Sequence, residues 1–461
     1  MSDLNTTTAL SPVAGPKLDI QMSFTPHLET GAKIMPLSAY VTPVGFDAAK
    51  AGPSEAFCGA AVDISQSMEG PIDKDHPREG RKDQLSRDGT EAFLSALPPN
   101  FYFALYTIGR GGRRIFPTGN GLPVKADAKN IAAAKAIVRA TAATDSDTNM
   151  EPSMRLFRED AIALQGATGI NTAILGALTD GGYSDGAVVK RELGNYKVQR
   201  EKGLSLAVLP FGIGLDWNAE QLRLISDSTM SPKTPELLMN AAKVTATFKE
   251  IVEIGAAQTL SNVKLIIKKA ASVPLLNVSV QKPVSINLQD KVVQVDDKTI
   301  AIHLGSWDNE TRLFYAELGV QQPQGAANLT ACFLSFQYDI GGKTVTTPAE
   351  KVVCTWTDDA NLSSVIARGV NAAQGIEGSK VRMRQAAELA SSGGFEKAEV
   401  MLSEQYRKAK EAGQEDVIAM LLQHVDVVDD TTGTVRMKNR SAAGAMDLNA
   451  RSGDSTVRRR G

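Results

Sequence analysis

Between residues 57 and 254 short apolar runs alternate with stretches of helical period. The runs Phe57 to Ile64 (FCGAAVDI), Phe101 to Ile108 (FYFALYTI), Thr172 to Leu178 and Leu204 to Phe211 predict strands. Helices are expected over Lys82 to Leu97, Lys125 to Thr141, Glu151 to Leu164, Asp185 to Glu201, Asn218 to Ser226 and Pro235 to Ile254. Arg114 to Phe116 reads as a hairpin partner across Gly109–Gly112. Short apolar strands alternating with amphipathic helices imply a doubly wound, mainly parallel sheet covered on both faces.

The pattern changes on either side. From about 259 to 357 helix signals vanish and strand-like runs recur, with turn residues between them as in Ile340–Gly341–Gly342–Lys343. That is the spacing of an antiparallel sandwich. Two earlier strand-like pieces, Leu18 to Thr25 and Ile34 to Val44, have no partner of their own and are expected to join it. The α/β domain would then be an insertion in, or be followed by, the sandwich. Residues 361–428 return to helical period, with breaks expected at Gly375–Gly378 and Ser391–Gly394. The expected organisation is a disordered lead (1–15), strands joining the sandwich (16–50), the α/β domain (51–256), the β-sandwich (257–358), a helical segment (359–428) and a flexible tail (429–461).

Composition narrows the classes of function. Fifty basic and 52 acidic residues nearly cancel, which argues against a dedicated nucleic-acid binder. The single string Gly109–Arg110–Gly111–Gly112–Arg113–Arg114 is read as a turn, since it lacks interleaved aromatics. Phe211–Gly212–Ile213–Gly214 lacks the third glycine and the helix of a dinucleotide fingerprint. No apolar run approaches the roughly 18 to 20 residues of a membrane span. The first twenty residues lack a basic start followed by an apolar stretch, so no secretory leader is expected and a cytoplasmic setting is. Cys58, Cys332 and Cys354 sit in strand-like runs. Cys332 and Cys354 would pair only if opposite on adjacent strands, and reduced core cysteines are the favoured reading. Four scattered histidines share no zinc-ligand spacing.

The candidate chemistry lies where strands end. Asp63 closes an apolar run, and Ser65 and Ser67 follow at the second and fourth positions beyond it. Asp180 closes a second run in TAILGALTDGG, and Thr148 stands in Asp147–Thr148–Asn149 between the two. In a parallel sheet such strand ends share one edge, where ligands bind. Hydroxyls and carboxylates are the donors that hard cations want. The competing readings are a capped turn at Asp63 and a helix N-cap at Thr148.

The order, spacing and strand context of these residues, over about 57–250, resemble the von Willebrand factor type A family. Its metal-ion-dependent adhesion site runs DxSxS, then a Thr, then an Asp. The resemblance implies that Asp63, Ser65, Ser67, Thr148 and Asp180 hold Mg²⁺, or Mn²⁺ in its place. It implies that a protein partner supplies an acidic side chain to complete the coordination. Ser146–Asp147 stands where the family has Gly-Gly, so Asp145 or Asp147 adds charge nearby. The flanks resemble bacterial type A proteins with a β-rich segment and a helical C-terminus, through the strings VDVVDDTTGTVR (425–436) and LNARS…TVR (448–458). Such proteins are often encoded with tellurium-resistance-type stress modules, protein kinases and phosphatases.

The function expected is a metal-dependent protein-interaction scaffold or adaptor in a stress-response or signalling system, not an enzyme. No nucleophile stands beside a base, and Lys74 and Arg78 on the long loop 69–81 are the only basic groups near the site. The rivals are a metal-dependent phosphoryl-transfer or hydrolytic enzyme and a structural assembly subunit. Thr456, beside Arg458–Arg460, is a candidate phosphorylation site, against the reading of a plain solvated tail.

Overall fold

The computed structural model describes residues 16–46, 55–74, 77, 80–183, 186–325 and 327–454. The expected lead 1–15, His76, Arg78 and Thr456 lie outside the described residues.

The chain opens with β1 (Lys17–Phe24), β2 (His27–Glu29) and β3 (Ile34–Val44). The α/β region then runs β4 (Phe57–Asp63), α1 (Lys82–Ala96), β5 (Tyr102–Ile108), β6 (Arg114–Phe116), β7 (Val124–Lys125), α2 (Ala128–Ala140) and α3 (Glu151–Thr168). It continues through β8 (Thr172–Thr179), α4 (Gly186–Glu201), β9 (Ser205–Ile213), α5 (Ala219–Ser228), β10 (Glu236–Leu238) and α6 (Ala241–Ala257). The sheet order is β10-β9-β8-β4-β5-β6, with β7 also on β5. Strands β10, β9, β8, β4 and β5 are mutually parallel, and β6 and β7 run antiparallel to β5. Every residue of β4 and β8 is buried, as a strand covered on both faces requires. The chain passes from β4 outward to β5, then returns to the other side of β4 to lay down β8 and β9. The topological switch therefore falls between β4 and β8, at whose carboxyl ends a crevice opens.

The sandwich strands are β11 (Leu260–Lys269), β12 (Leu275–Lys282), β13 (Ile286–Asn287), β14 (Val292–Gln294), β15 (Thr299–Trp307), β16 (Arg312–Gly319), β17 (Asn328–Ile340), β18 (Lys343–Thr346) and β19 (Glu350–Thr357). One sheet is β1-β3-β16-β12-β13; the other is β14-β15-β11-β17-β19-β2, with β18 on β17. The N-terminal strands thus lie inside the sandwich, with β3 paired along β16 from Ile34↔Gly319 to Val41↔Arg312. The α/β domain is inserted between β3 and β11. The sandwich is not wholly antiparallel, because β2 runs parallel to β19. All three cysteines are free and buried, and Cys354 faces Leu329, not Cys332, across its ladder.

Helices α7 (Ala360–Ser363), α8 (Arg368–Ser391), α9 (Phe395–Glu411) and α10 (Glu415–Leu421) follow, then β20 (Val425–Asp429), β21 (Thr434–Met437) and α11 (Ala442–Ala450). The helix expected from Pro235 begins only at Ala241, where the Asn240 side chain accepts from Lys243 N–H; Leu237 and Leu238 are buried instead in the edge strand β10. No break falls at Gly375–Gly378, because α8 runs through it. A Cβ at Gly375 would come within 2.4 Å of the Gln414 amide, so this glycine admits a neighbouring side chain. The tail expected to be flexible from 429 is ordered through 454 as a hairpin and a Ser441-capped helix. Val435, Met437, Ala445 and Leu448 share a core with α8 and α9.

Candidate metal centre

Strand β4 carries Asp63 to the rim of the sheet, and β8 carries Thr179 to the same rim beside it. Asp63 is 3% exposed, and both of its carboxylate oxygens are engaged. Oδ1 accepts the Ser65 N–H at 2.8 Å, and Oδ2 accepts the Thr179 hydroxyl at 2.7 Å. The first bond bends the chain into a 3-10 turn over Gln66–Glu69, which presents the two serines. Ser65 Oγ lies 3.0 Å from Ser67 Oγ, and Ser67 Oγ donates to Asp180 Oδ1 at 2.8 Å. Ser65 and Asp180 are buried, while Ser67 between them is exposed, so the row of oxygens opens to solvent at its middle member.

A third loop closes the rim. Gln66 N–H donates to Asp145 O at 2.8 Å and Asp145 N–H to Ile64 O at 2.9 Å, tying the loop before α3 to the serine turn. The Asp145 carboxylate accepts from the N–H groups of Gly111 and Asp147, so it serves the neighbouring turns. Thr148 stands against the turn after Asp180, where a Cβ on Gly181 would come within 3.2 Å of its Oγ1. It does not cap α3: the N–H of Glu151 is taken by Asn149 Oδ1. The structure thus brings Asp63, Ser65, Ser67 and Asp180 into one hydrogen-bonded chain and sets Thr148 beside its Asp180 end.

Three further residues belong to this rim. Thr179 orients Asp63. Lys82, at the start of α1, donates from Nζ to Asp180 Oδ2 at 2.8 Å and to Asp216 Oδ2 at 3.0 Å. Asp216, beyond β9, is also bridged by Lys74 at 2.8 Å. Lysine in the first turn opposes the helix dipole, which is the one signal in the sequence that marks Lys82. Asp216 carries none. The glycines of Phe211–Gly212–Ile213–Gly214 have local work: a Cβ at Gly212 would strike the Trp217 indole, and one at Gly214 would strike Lys82 Cε.

Charge at the rim is unevenly solvated. Burial pushes the Asp63 carboxyl up to about 6, against the hydrogen bonds from Thr179 and Ser65 and with the charge of Asp180 adding to the rise. Burial opposes the Lys82 ammonium, but its bonds to Asp180 and Asp216 outweigh this and leave it above the usual lysine range. The hydrogen bond from Lys74, helped by Lys82, holds Asp216 below the usual carboxylate range.

The donor set fits a hard cation. Mg²⁺ takes oxygens at about 2.0–2.1 Å in near-octahedral order, which sets neighbouring ligands roughly 2.9 Å apart. The row Ser65 Oγ, Ser67 Oγ, Asp180 Oδ1 has steps of 3.0 and 2.8 Å. A hydroxyl turns its hydrogen aside and offers a lone pair without moving its oxygen. Among the described residues no three His, Cys, Asp or Glu side chains gather as ligands, so a cation at this rim needs its serines.

Residues 408–452, from the end of α9 through α11, match the family model described as von Willebrand factor type A C-terminal domain. None of the curated proteins compared with the chain matches it. Among solved structures the chain is similar to a von Willebrand factor type A protein from Catenulispora acidiphila, at 22% identity and a TM-score of 0.78, over 97% of this chain and 99% of that one. It is also similar to the ArnB paralog VWA2 from Sulfolobus acidocaldarius, at 14% identity and a TM-score of 0.56, over 96% and 100% of the two chains. The fold is that of the type A proteins, and the coverage extends the likeness beyond the α/β domain to the sandwich and helices. No helix among the described residues is long and apolar enough to cross a membrane.

Proposed function

We propose that this chain is a protein-interaction scaffold that docks a partner through a divalent cation, Mg²⁺ or Mn²⁺, held by Ser65, Ser67 and Asp180 with Thr148 beside them. The observation that carries the reading is the convergence of two serine hydroxyls and the Asp180 carboxylate in one row at the rim, open to solvent at Ser67. Asp63 acts through its neighbours: it fixes the serine turn and adds negative charge behind the ion. The cation supplies a positive point at the rim, and an acidic side chain of the partner completes its shell. Binding, and not catalysis, is the reading we favour, because no described histidine stands at the rim as a base for either serine. Of the described histidines, His27 and His303 stand on β2 and β15, and His424 stands between α10 and β20. A cytoplasmic place among tellurium-resistance-type stress modules, with a kinase or phosphatase as partner, extends this reading through the family resemblance of the flanks.

Calorimetry tests the reading. The protein should bind Mg²⁺ and Mn²⁺, and Ser65→Ala and Ser67→Ala should each lose that binding while folding normally. Capture of partners from the native host should be abolished by chelator and restored by Mg²⁺. Capture that is indifferent to chelator would refute cation-dependent docking.

A further inference from the structure

We propose that Lys82 sets which cation the rim accepts, by capping Oδ2 of Asp180 so that this aspartate can give a metal only one oxygen. The inference rests on the docking reading, because it concerns the same donors.

The placement of Lys82 is tightly built. Its N–H donates to Gly70 O at 3.1 Å, which pins the start of α1 to the end of the serine turn. Its side chain is 3% exposed, with Nζ at 2.8 Å from Asp180 Oδ2 and 3.0 Å from Asp216 Oδ2. Space for its stem comes from Gly214, whose φ of +71° suits glycine and where a Cβ would lie 2.9 Å from Lys82 Cε. Helix formation does not explain this lysine. The first turn disfavours a cation, and burying an ammonium is costly.

What Lys82 does is divide the two oxygens of Asp180. Oδ1 faces Ser67 Oγ, and Oδ2 faces the ammonium. Ca²⁺ gathers about six to eight oxygens and often takes carboxylates through both, whereas Mg²⁺ prefers a near-octahedral set with one oxygen from each. An aspartate held in this way suits the smaller ion. The ammonium also places a positive charge one carboxylate away from the cation, which weakens binding of every cation.

The test is Mn²⁺ binding followed by electron paramagnetic resonance, competed by Mg²⁺ and by Ca²⁺, in the full chain and in Lys82→Met. In the wild type Mg²⁺ should compete well and Ca²⁺ poorly. In Lys82→Met, Mn²⁺ should bind more tightly, and the preference for Mg²⁺ over Ca²⁺ should fall several-fold as the second oxygen of Asp180 becomes free. Circular dichroism checks the fold; if Lys82→Met does not fold, Lys82→Leu, which likewise leaves Asp180 Oδ2 uncapped, reads the same ratio. Mn²⁺ bound by both proteins with an unchanged Mg²⁺ to Ca²⁺ ratio would overturn the role of Lys82 and leave the docking reading standing. Mn²⁺ bound by neither would remove the metal reading and this inference with it.

Discussion

In the sandwich, buried side chains are mostly apolar and meet one another; at the carboxyl rim of the parallel sheet they are polar and meet across loops. Trp307, fully buried, packs on Phe314 and Phe336 with ring centroids 5.8 and 5.9 Å away. Such contacts are what a fold needs to hold together. Asp63, Asp180 and Lys82 are no less enclosed, yet an ionised group gains little stability from enclosure. Residues that burden a fold without helping it hold together mark places kept for another purpose.

Trp307→Ala should cost about 3–5 kcal/mol in denaturant unfolding, through the cavity it leaves. It should not change cation affinity in the protein that remains folded. Lys82→Met should lower stability by about 3 kcal/mol in chelator, since it strands Asp180 and part of Asp216, and saturating Mg²⁺ should recover some of that loss. In the sandwich a half-buried acid, Glu310 in the turn before β16, gives a pH signal. Burial, with Asp308 and Asp454 adding charge against Arg312, pushes the Glu310 carboxyl up to about 7. A raised acid favours the folded state fully below its unfolded value, and that contribution is lost as pH rises through about 7. Urea melts at pH 5 and pH 8 should therefore differ by about 2 kcal/mol on this account, after allowance for partial exposure, and Glu310→Gln should remove that part of the difference. Asp63→Ala should cost about 1–2 kcal/mol, through the Ser65 N–H and Thr179 hydroxyl it leaves unpaired, while abolishing Mn²⁺ binding by calorimetry in protein that remains folded. Loss of folding there would favour a structural role for the rim. Val400→Ser, on the exposed face of α9, should fall within about 0.5 kcal/mol of the wild type.

Legibility in the sequence followed the range of the interactions. Strands β4 and β8 could be read because each is a continuous apolar run stopped by a polar rim, and that pattern depends on neighbours along the chain. The same pattern located Asp63 and Asp180, and with them the edge where they meet. Strand β10 could not be read, since Leu237 and Leu238 occupy a three-residue strand next to a helix of similar polarity. The hairpin β20–β21 and α11 were hidden because short elements bury little alone; Val435 and Leu448 find cover only against α8 and α9. Lys82 was missed for a related reason. Its carboxylate partners lie 98 and 134 residues further along the chain, and nothing local announces them.

The most direct test of the account is a crystal grown with Mn²⁺ and measured for anomalous scattering. The account predicts a peak at the rim between β4 and β8, within direct-coordination distance of Ser65 Oγ and Ser67 Oγ, with Asp180 giving the ion a single oxygen. A peak bound elsewhere, or none at the serines in a well-ordered crystal, would contradict it.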